Sequence, residues 1–140
     1  MRARLFALVA ISWGALFAGA ASAGTLYDDL GGKPGLTMII GYSVDAAVVD
    51  PRIADKFDNI NIPRLKQRIV EMICELTNGP CHFHGVSMKG AHTYLQLRDR
   101  HFNALVEDLQ NAMDKTGIPF RTQNKLLALL APLHRDIVTK

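Results

Sequence analysis

The sequence predicts an all-α domain, and three observations support that prediction. Apolar residues recur at helical spacing through most of the chain, no stretch shows sustained alternation with a period of two, and turn signals such as Asp50-Pro51 and Gly79-Pro80 separate the apolar stripes. We expect about five or six helices packed around one core. The 140 residues are 49% hydrophobic and 21% charged, which excludes collagen-like, low-complexity and intrinsically disordered classes.

The first 23 residues have the pattern of a secretory signal peptide. Residues 1–4 carry two arginines and no acid, residues 5–18 are almost entirely apolar, and Ala21-Ser22-Ala23 is a small-x-small cleavage pattern. A transmembrane anchor needs about 20 apolar residues, and this run is shorter. We therefore predict cleavage after Ala23, a single mature domain over 24–140, and export to a periplasm or the extracellular space.

Most of the net positive charge comes from the predicted leader. The whole chain has 16 basic and 13 acidic residues, a net charge of +3, and removing residues 1–23 takes away two arginines. The mature chain then has 117 residues and a net charge of +1. Its basic residues are scattered and offset by acids, so we expect no nucleic-acid partner and no stable membrane insertion of the mature chain.

The first two long helices are predicted by apolar spacing and by their end signals. One covers 36–49 and ends at Asp50-Pro51. The next begins with Pro63 in its first turn and ends at Asn78-Gly79-Pro80, as a glycine followed by a proline predicts.

Three further helical segments complete the chain. A short segment covers 88–97, and a one-face apolar stripe runs from Phe102 to Met113. After Gly117-Ile118-Pro119 a last stripe covers 126–137. Pro132 should kink this final helix or lie in its terminal turn.

Two cysteines lie close to two histidines, at Cys74, Cys81, His82 and His84. Three interpretations remain open for them. The spacing matches no standard zinc module, a disulfide is possible in an oxidising compartment, and Cys74 is also compatible with an inert buried hydrophobe. The spacing favours unlinked cysteines over a disulfide, and both over zinc.

Several enzyme signatures are absent from the sequence. It contains no phosphate-binding glycine loop, no nucleophile elbow, no zinc-protease helix motif and no Cys-x-x-Cys-His haem attachment. A lone histidine, His92, follows a loop in Met88-Lys89-Gly90-Ala91-His92. By itself it is compatible with either an exposed structural residue or an iron ligand.

The order and spacing of several short motifs resemble group I truncated haemoglobins from Leu26 to about Val138. The opening Leu-Tyr-x-x-Leu-Gly-Gly pattern is matched, and Phe57 stands where the family has a haem-packing phenylalanine. The stretch that ends at His92 resembles the approach to the proximal histidine. The matching segments are 26–32, 50–53, 79–80, 88–92, 101–102 and 117–119.

This resemblance implies a short globin fold, a two-over-two helical sandwich around haem b. His92 matches the proximal histidine and is therefore expected to bind the iron, with Met88 and Phe57 also at the haem. His101 is the competing ligand candidate, and we expect it to start a helix or to pack instead. The implied partners are O2, NO or CO and an unidentified reductase.

The expected distal side departs from the group I pattern. The family's distal tyrosine position falls on Val44, and its glutamine positions fall on Leu65 and Ile69, so the expected pocket is apolar. A shift of two residues would make Tyr42 the distal residue instead. Arg68 is expected to pair with a haem propionate, with the bound gas as its alternative partner.

His134 lies where some group I members carry a histidine bonded covalently to a haem vinyl, and its alternative is a solvated histidine near a helix end. The leading hypothesis is a gas-binding protein for oxygen binding or transport. The alternatives are an NO-detoxifying or peroxidase-like haem enzyme and a haem-free helical module for metal binding or interaction.

Overall fold

The computed structural model describes residues 24–140, so the predicted signal peptide lies outside the described residues. Within that range all regular structure is helical, which confirms the all-α prediction. There are seven α-helices here rather than five or six, and two of them have only four residues. They are α1 Leu26–Asp29, α2 Gly32–Ala47, α3 Ile62–Leu76, α4 Met88–His92, α5 Asp99–Lys115, α6 Phe120–Leu130 and α7 His134–Ile137.

Helix α2 lies at the centre of the helix packing. Helix α2 packs most extensively against α5 and next against α3, while α5 also contacts α6. The short α4 packs against α7. Two 3₁₀ helices, Ala54–Phe57 and Ala131–Leu133, connect α2 to α3 and α6 to α7.

Helix α2 begins four residues earlier than the apolar pattern indicates. Gly31 precedes it with φ 84°, a left-handed conformation that favours glycine. Pro34 lies in the first turn, where its missing N–H has no helical partner to lose. The helix can therefore start before the apolar stripe does.

Helix α3 begins and ends as the sequence predicts. The Asn61 side chain accepts a hydrogen bond of 3.0 Å from the Arg64 N–H, and Pro63 lies in the first turn. At its end, the hydroxyl of buried Thr77 donates to the Ile73 carbonyl at 2.7 Å. These bonds satisfy backbone groups that a helix end otherwise leaves open.

The final helix is divided rather than merely kinked. Helix α6 stops at Leu130, the 3₁₀ helix Ala131–Leu133 contains Pro132, and α7 continues from His134. Proline cannot donate the next helical hydrogen bond, which accounts for the break.

The core comprises one large apolar cluster and a smaller one. The smaller cluster joins Ala47, Ile53 and Ala104, with Phe57 and Leu105 packed against it while partly exposed. The larger cluster joins α2, α3, α5 and α6 and contains Leu30, Leu36, Ile39, Ile40, Val44, Val70, Ile73, Cys74, Leu109, Ala112, Met113 and Leu126. In the described part of the chain, no helix is long and apolar enough to cross a membrane.

Cys74 and Cys81 form a disulfide, with their Cα atoms 5.8 Å apart. The expectation of unlinked cysteines is therefore wrong, and so is the zinc alternative, because both sulfurs are bonded to each other. Gly79 makes the approach possible: a Cβ there would lie 2.6 Å from the Cys74 Sγ and from a Tyr27 ring carbon. No group of three metal-binding side chains occurs among residues 24–140.

We expect replacement of both Cys74 and Cys81 by alanine to lower the free energy of unfolding by roughly 2–3 kcal/mol. Most of this effect comes from releasing a short loop in the unfolded chain. Urea unfolding measures it. Dithiothreitol should destabilise the unmodified protein by a comparable amount and leave the double variant unchanged, and equal sensitivity of both proteins would contradict the assignment.

Asp108 of α5 is a buried carboxyl without full pairing. It is 7% exposed, and within the described residues its Oδ2 is the buried side-chain polar atom that lacks a hydrogen-bond partner. Burial raises the pKa of Asp108 above its usual value, and the Asp50 carboxylate raises that pKa further.

This raised pKa predicts a pH-dependent stability. The folded protein keeps the Asp108 proton to a higher pH than the unfolded chain does. The contribution of Asp108 to the free energy of unfolding therefore falls as pH rises from the pKa in the unfolded chain to the pKa in the folded protein. Asp108→Asn should therefore gain stability relative to the unmodified protein between about pH 4 and about pH 7. Unfolding at both pH values tests this, with the exposed Asp58→Asn as control. A difference that does not change with pH would contradict it.

Candidate functional site

The site is built around α4, the five-residue helix that ends at His92. The Ser87 hydroxyl begins this helix by accepting a hydrogen bond of 3.1 Å from the Gly90 N–H. The helix is shorter than the predicted 88–97 segment: it ends at His92, and Gln96, four residues further on, has φ 51°. His92 thus lies at a helix end and not within a helix.

His92 is oriented by its own helix. Its Nδ1 lies 2.7 Å from the Met88 carbonyl oxygen, and a carbonyl can only accept, so Nδ1 carries the proton and donates. The lone pair is then on Nε2 of a half-buried ring. A neutral imidazole held in this tautomer is the state in which histidine binds a metal.

His101, the competing ligand candidate, is occupied differently. It is 5% exposed, and its Nδ1 accepts a hydrogen bond of 3.0 Å from the Arg98 N–H at the start of α5. Burial lowers the pKa of His101, and the neighbouring Arg100 lowers it further. The prediction that His101 starts a helix and packs is confirmed.

The expected distal residues lie on α2, α3 and the first 3₁₀ helix. Leu65 and Ile69 are one turn apart on α3, and both are half-buried and packed against the larger core cluster. Met72 continues the same row, although the sequence assigned it only to a helical stripe. Phe57 is half-buried beside the smaller cluster, whereas Val44 is only 2% exposed within the core.

Tyr42 does not share the environment of Val44. It is 42% exposed, and the Lys115 Nζ lies 3.8 Å from the centre of its ring. Tyr42 therefore occupies a surface groove between α2 and α5, together with Asp45 and Asn111.

Arg68 and His134 both have protein partners. Arg68 Nη1 contacts Glu71 Oε2 at 2.8 Å, and hydrogen bonds from Gln67 and Arg68 lower the pKa of Glu71. His134 Nε2 lies 2.7 Å from Asp99 Oδ1, with its ring edge-on to Phe102 at 4.8 Å between centroids. His82 and His84 are exposed on the loop before α4.

The donor set and its surroundings fit a haem. One histidine presents a free Nε2, and partly exposed apolar side chains on α3 and beside α5 offer surface to a flat apolar group. Helix α4 packs against α7, and α3 packs against α2.

Comparison with known proteins agrees with this architecture. A family model described as bacterial-like globin matches residues 25–139. The group 1 truncated hemoglobin GlbN of Mycolicibacterium paratuberculosis is 28% identical over 115 residues, covering 82% of this chain and 85% of that protein. The group 1 truncated hemoglobin of Tetrahymena pyriformis is 23% identical, covering 83% and 96%.

Solved structures show the same fold. The Fe(III) form of the truncated hemoglobin from Tetrahymena pyriformis matches with a TM-score of 0.80 at 23% identity, covering 84% of this chain and all of that one. The 2/2 hemoglobin from Synechococcus sp. PCC 7002, in the cyanomet state and with covalently attached heme, matches with a TM-score of 0.78 at 22% identity, covering 84% of this chain and all of that one. These matches define the class, a two-over-two helical globin fold. The chain belongs to the bacterial-like globin family.

Proposed function

We propose that this protein is a group 1 truncated haemoglobin that holds haem b through His92 and binds O2, NO or CO reversibly. The observation that carries the proposal is the 2.7 Å contact from His92 Nδ1 to the Met88 carbonyl, which leaves Nε2 available as the axial ligand. Haem b supplies an iron with an open coordination position for a small gas. The chain supplies the axial ligand and an apolar enclosure.

The enclosure is assigned to residues of α2, α3 and the first 3₁₀ helix. We place Leu65, Ile69 and Phe57 against the haem because they are half-buried apolar side chains at the matching family positions. Val44 lies in the larger core cluster, against which Leu65 and Ile69 pack. Met88 completes the proximal side, since its carbonyl orients the His92 ring.

Arg68 is proposed to pair with a haem propionate. Its guanidinium has five donors and uses one of them on Glu71 in the structure, so further donors remain for a second carboxylate. The charge pair with Glu71 would hold the side chain in place while it makes the new contact.

The apolar distal side determines the proposed gas preference. Val44, Leu65 and Ile69 carry no hydrogen-bond donor, so bound O2 gains no stabilisation there and should leave quickly. CO accepts hydrogen bonds weakly and should be affected less. We therefore propose oxygen binding or transport as the role, with an unidentified reductase keeping the iron ferrous.

Catalysis is the less favoured role for the same reason. Peroxide cleavage needs an acid–base group next to the reacting oxygen atoms. The proposed distal positions have only hydrocarbon side chains.

We also propose that the protein is exported. The signal-peptide pattern in residues 1–23 supports export, and the Cys74–Cys81 disulfide is the kind of bond that persists in an oxidising compartment.

Gas binding to reconstituted protein tests the proposal. Titration with haem should produce a saturable Soret band at one haem per chain, and the reduced protein should bind CO and O2 reversibly with rapid O2 release. The absence of a saturable band would overturn the proposal. Rapid peroxide or NO turnover would show the enzymatic alternative instead.

The covalent haem linkage through His134 has a separate test. His134 Nε2 is hydrogen-bonded to Asp99 Oδ1, so a linkage through that nitrogen requires this contact to break. Acid butanone should extract the haem if His134 stays with Asp99. Haem that remains with the protein would establish the linkage.

A further inference from the structure

Segment 134–140 is bonded to the stretch that joins α4 to α5. The Thr139 and Lys140 N–H groups donate to the Leu97 carbonyl at 2.9 and 3.0 Å, and the Leu97 N–H donates to the Thr139 hydroxyl oxygen at 3.2 Å. Lys140 Nζ donates to Gln96 Oε1 at 2.9 Å. With the His134–Asp99 contact, these bonds form what we call the 134–140 clasp.

The clasp closes around the element that carries His92. Helix α4 has five residues and no buried residue, so neither helical propensity nor core packing holds it in place. Its main packing partner is α7, which begins at His134. Leu97, the residue that the clasp holds, lies five positions after His92 and is 8% exposed.

We propose that the 134–140 clasp is the positioning device for His92, a role that rests on the proposed haem function. His134, Thr139 and Lys140 do not bind the iron. They hold α7 and Leu97 in place. Because α4 packs against α7, this fixes the direction in which the His92 Nε2 points. His134 is then part of the clasp, through Asp99, and is not bonded to haem.

The effect should be partial because most clasp bonds are at the surface. Exposed hydrogen bonds contribute modestly, and the loss of two or three of them corresponds to roughly a tenfold change. Ending the chain after Val138 removes the Thr139 and Lys140 bonds and leaves α7 intact. We expect haem transfer from this variant to an apoglobin acceptor to be about tenfold faster.

A purely structural role would lower stability without changing the iron–histidine bond. The resonance Raman iron–histidine band of the ferrous truncated protein should therefore shift or broaden. Asp99→Asn should have a smaller effect in the same direction, and the control Asp136→Asn, on α7 but outside the clasp bonds, should have none. The proposal would be overturned if the truncated protein kept the band position and width of the full chain and lost haem at a rate within about twofold of it.

Failure of the clasp can be distinguished from failure of the haem assignment. Hydrogen exchange of the α4 amides, measured on haem-free protein, tests the positioning without any cofactor. The bonded amides of Ala91 and Thr93 should exchange about tenfold faster in the truncated chain. Unchanged exchange would refute the clasp, whereas faster exchange in a chain that binds no haem would refute only the proposed function.

Discussion

Replacing His92 with glycine is expected to speed haem loss by roughly 100-fold or more. Removing only an outer partner of a metal ligand typically costs about 10–100-fold in affinity, so removing the ligand itself should cost at least as much. The structure singles out this residue because its Nδ1 is committed to Met88 and its Nε2 is free. The measurement is transfer of haem to an excess of an apoglobin acceptor.

The chain contains matched controls for this substitution. His84→Gly changes an exposed histidine on the loop before α4 and should leave haem loss unchanged. Added imidazole should fill the space left in His92→Gly and restore a spectrum like that of the unmodified protein. A normal rate of haem loss in His92→Gly, or a large increase in His84→Gly, would show that a residue other than His92 is the axial ligand.

Replacing Leu65 with glutamine is expected to slow O2 dissociation by roughly 5- to 150-fold. A hydrogen bond to bound O2 contributes about 1–3 kcal/mol, and 1.4 kcal/mol is a factor of ten. Leu65 is the suitable position because it is half-buried and is one of the residues that we propose for the distal side. Val44 is 2% exposed, and a tyrosine there would overpack the core.

Leu65→Met is the matched control, since it keeps an apolar side chain of similar volume. Stopped-flow release of O2, and of CO in parallel, separates polarity from packing. O2 release should slow only in the glutamine variant, with CO release changed much less. Equal rates in all three proteins would show that position 65 does not face the gas.

The long helices were predictable because their signals are local. Asn61 and Pro63 start α3, and the apolar stripe through Met113 predicts α5 without reference to the rest of the chain. Helix α4 was predicted too long: it ends at His92, five residues before the predicted end, and the chain then includes Gln96 at a positive φ, for which no local residue pattern is diagnostic.

Parts of the site depend on contacts distant in sequence. His134 meets Asp99 across 35 positions, and the Leu97–Thr139 hydrogen bond spans 42, so no spacing rule predicts either contact. The Cys74–Cys81 pair is local, yet its formation depends on Gly79 fitting against Tyr27 of α1. The sequence predicted Met72 only as one member of an apolar helical stripe. Periodicity does not tell which residues of such a stripe remain partly exposed in the folded protein.

The exposure of Tyr42 bears on whether Val44 or Tyr42 is the distal residue of α2. Residues that are two positions apart in a helix point in directions about 200° apart, so Tyr42 and Val44 lie on opposite sides of α2. Tyr42 contacts Lys115 at the surface, while Val44 lies in the core. The apolar distal pocket therefore remains our proposal for the gas site.

The iron–histidine stretching band of the ferrous, haem-reconstituted protein is the most direct test of the central claim. We expect one band that shifts when the protein is labelled with ¹⁵N-histidine, and that disappears in His92→Gly. The same labelled band in His92→Gly, or no histidine-sensitive band in the unmodified protein, would contradict the assignment of His92 as the axial ligand.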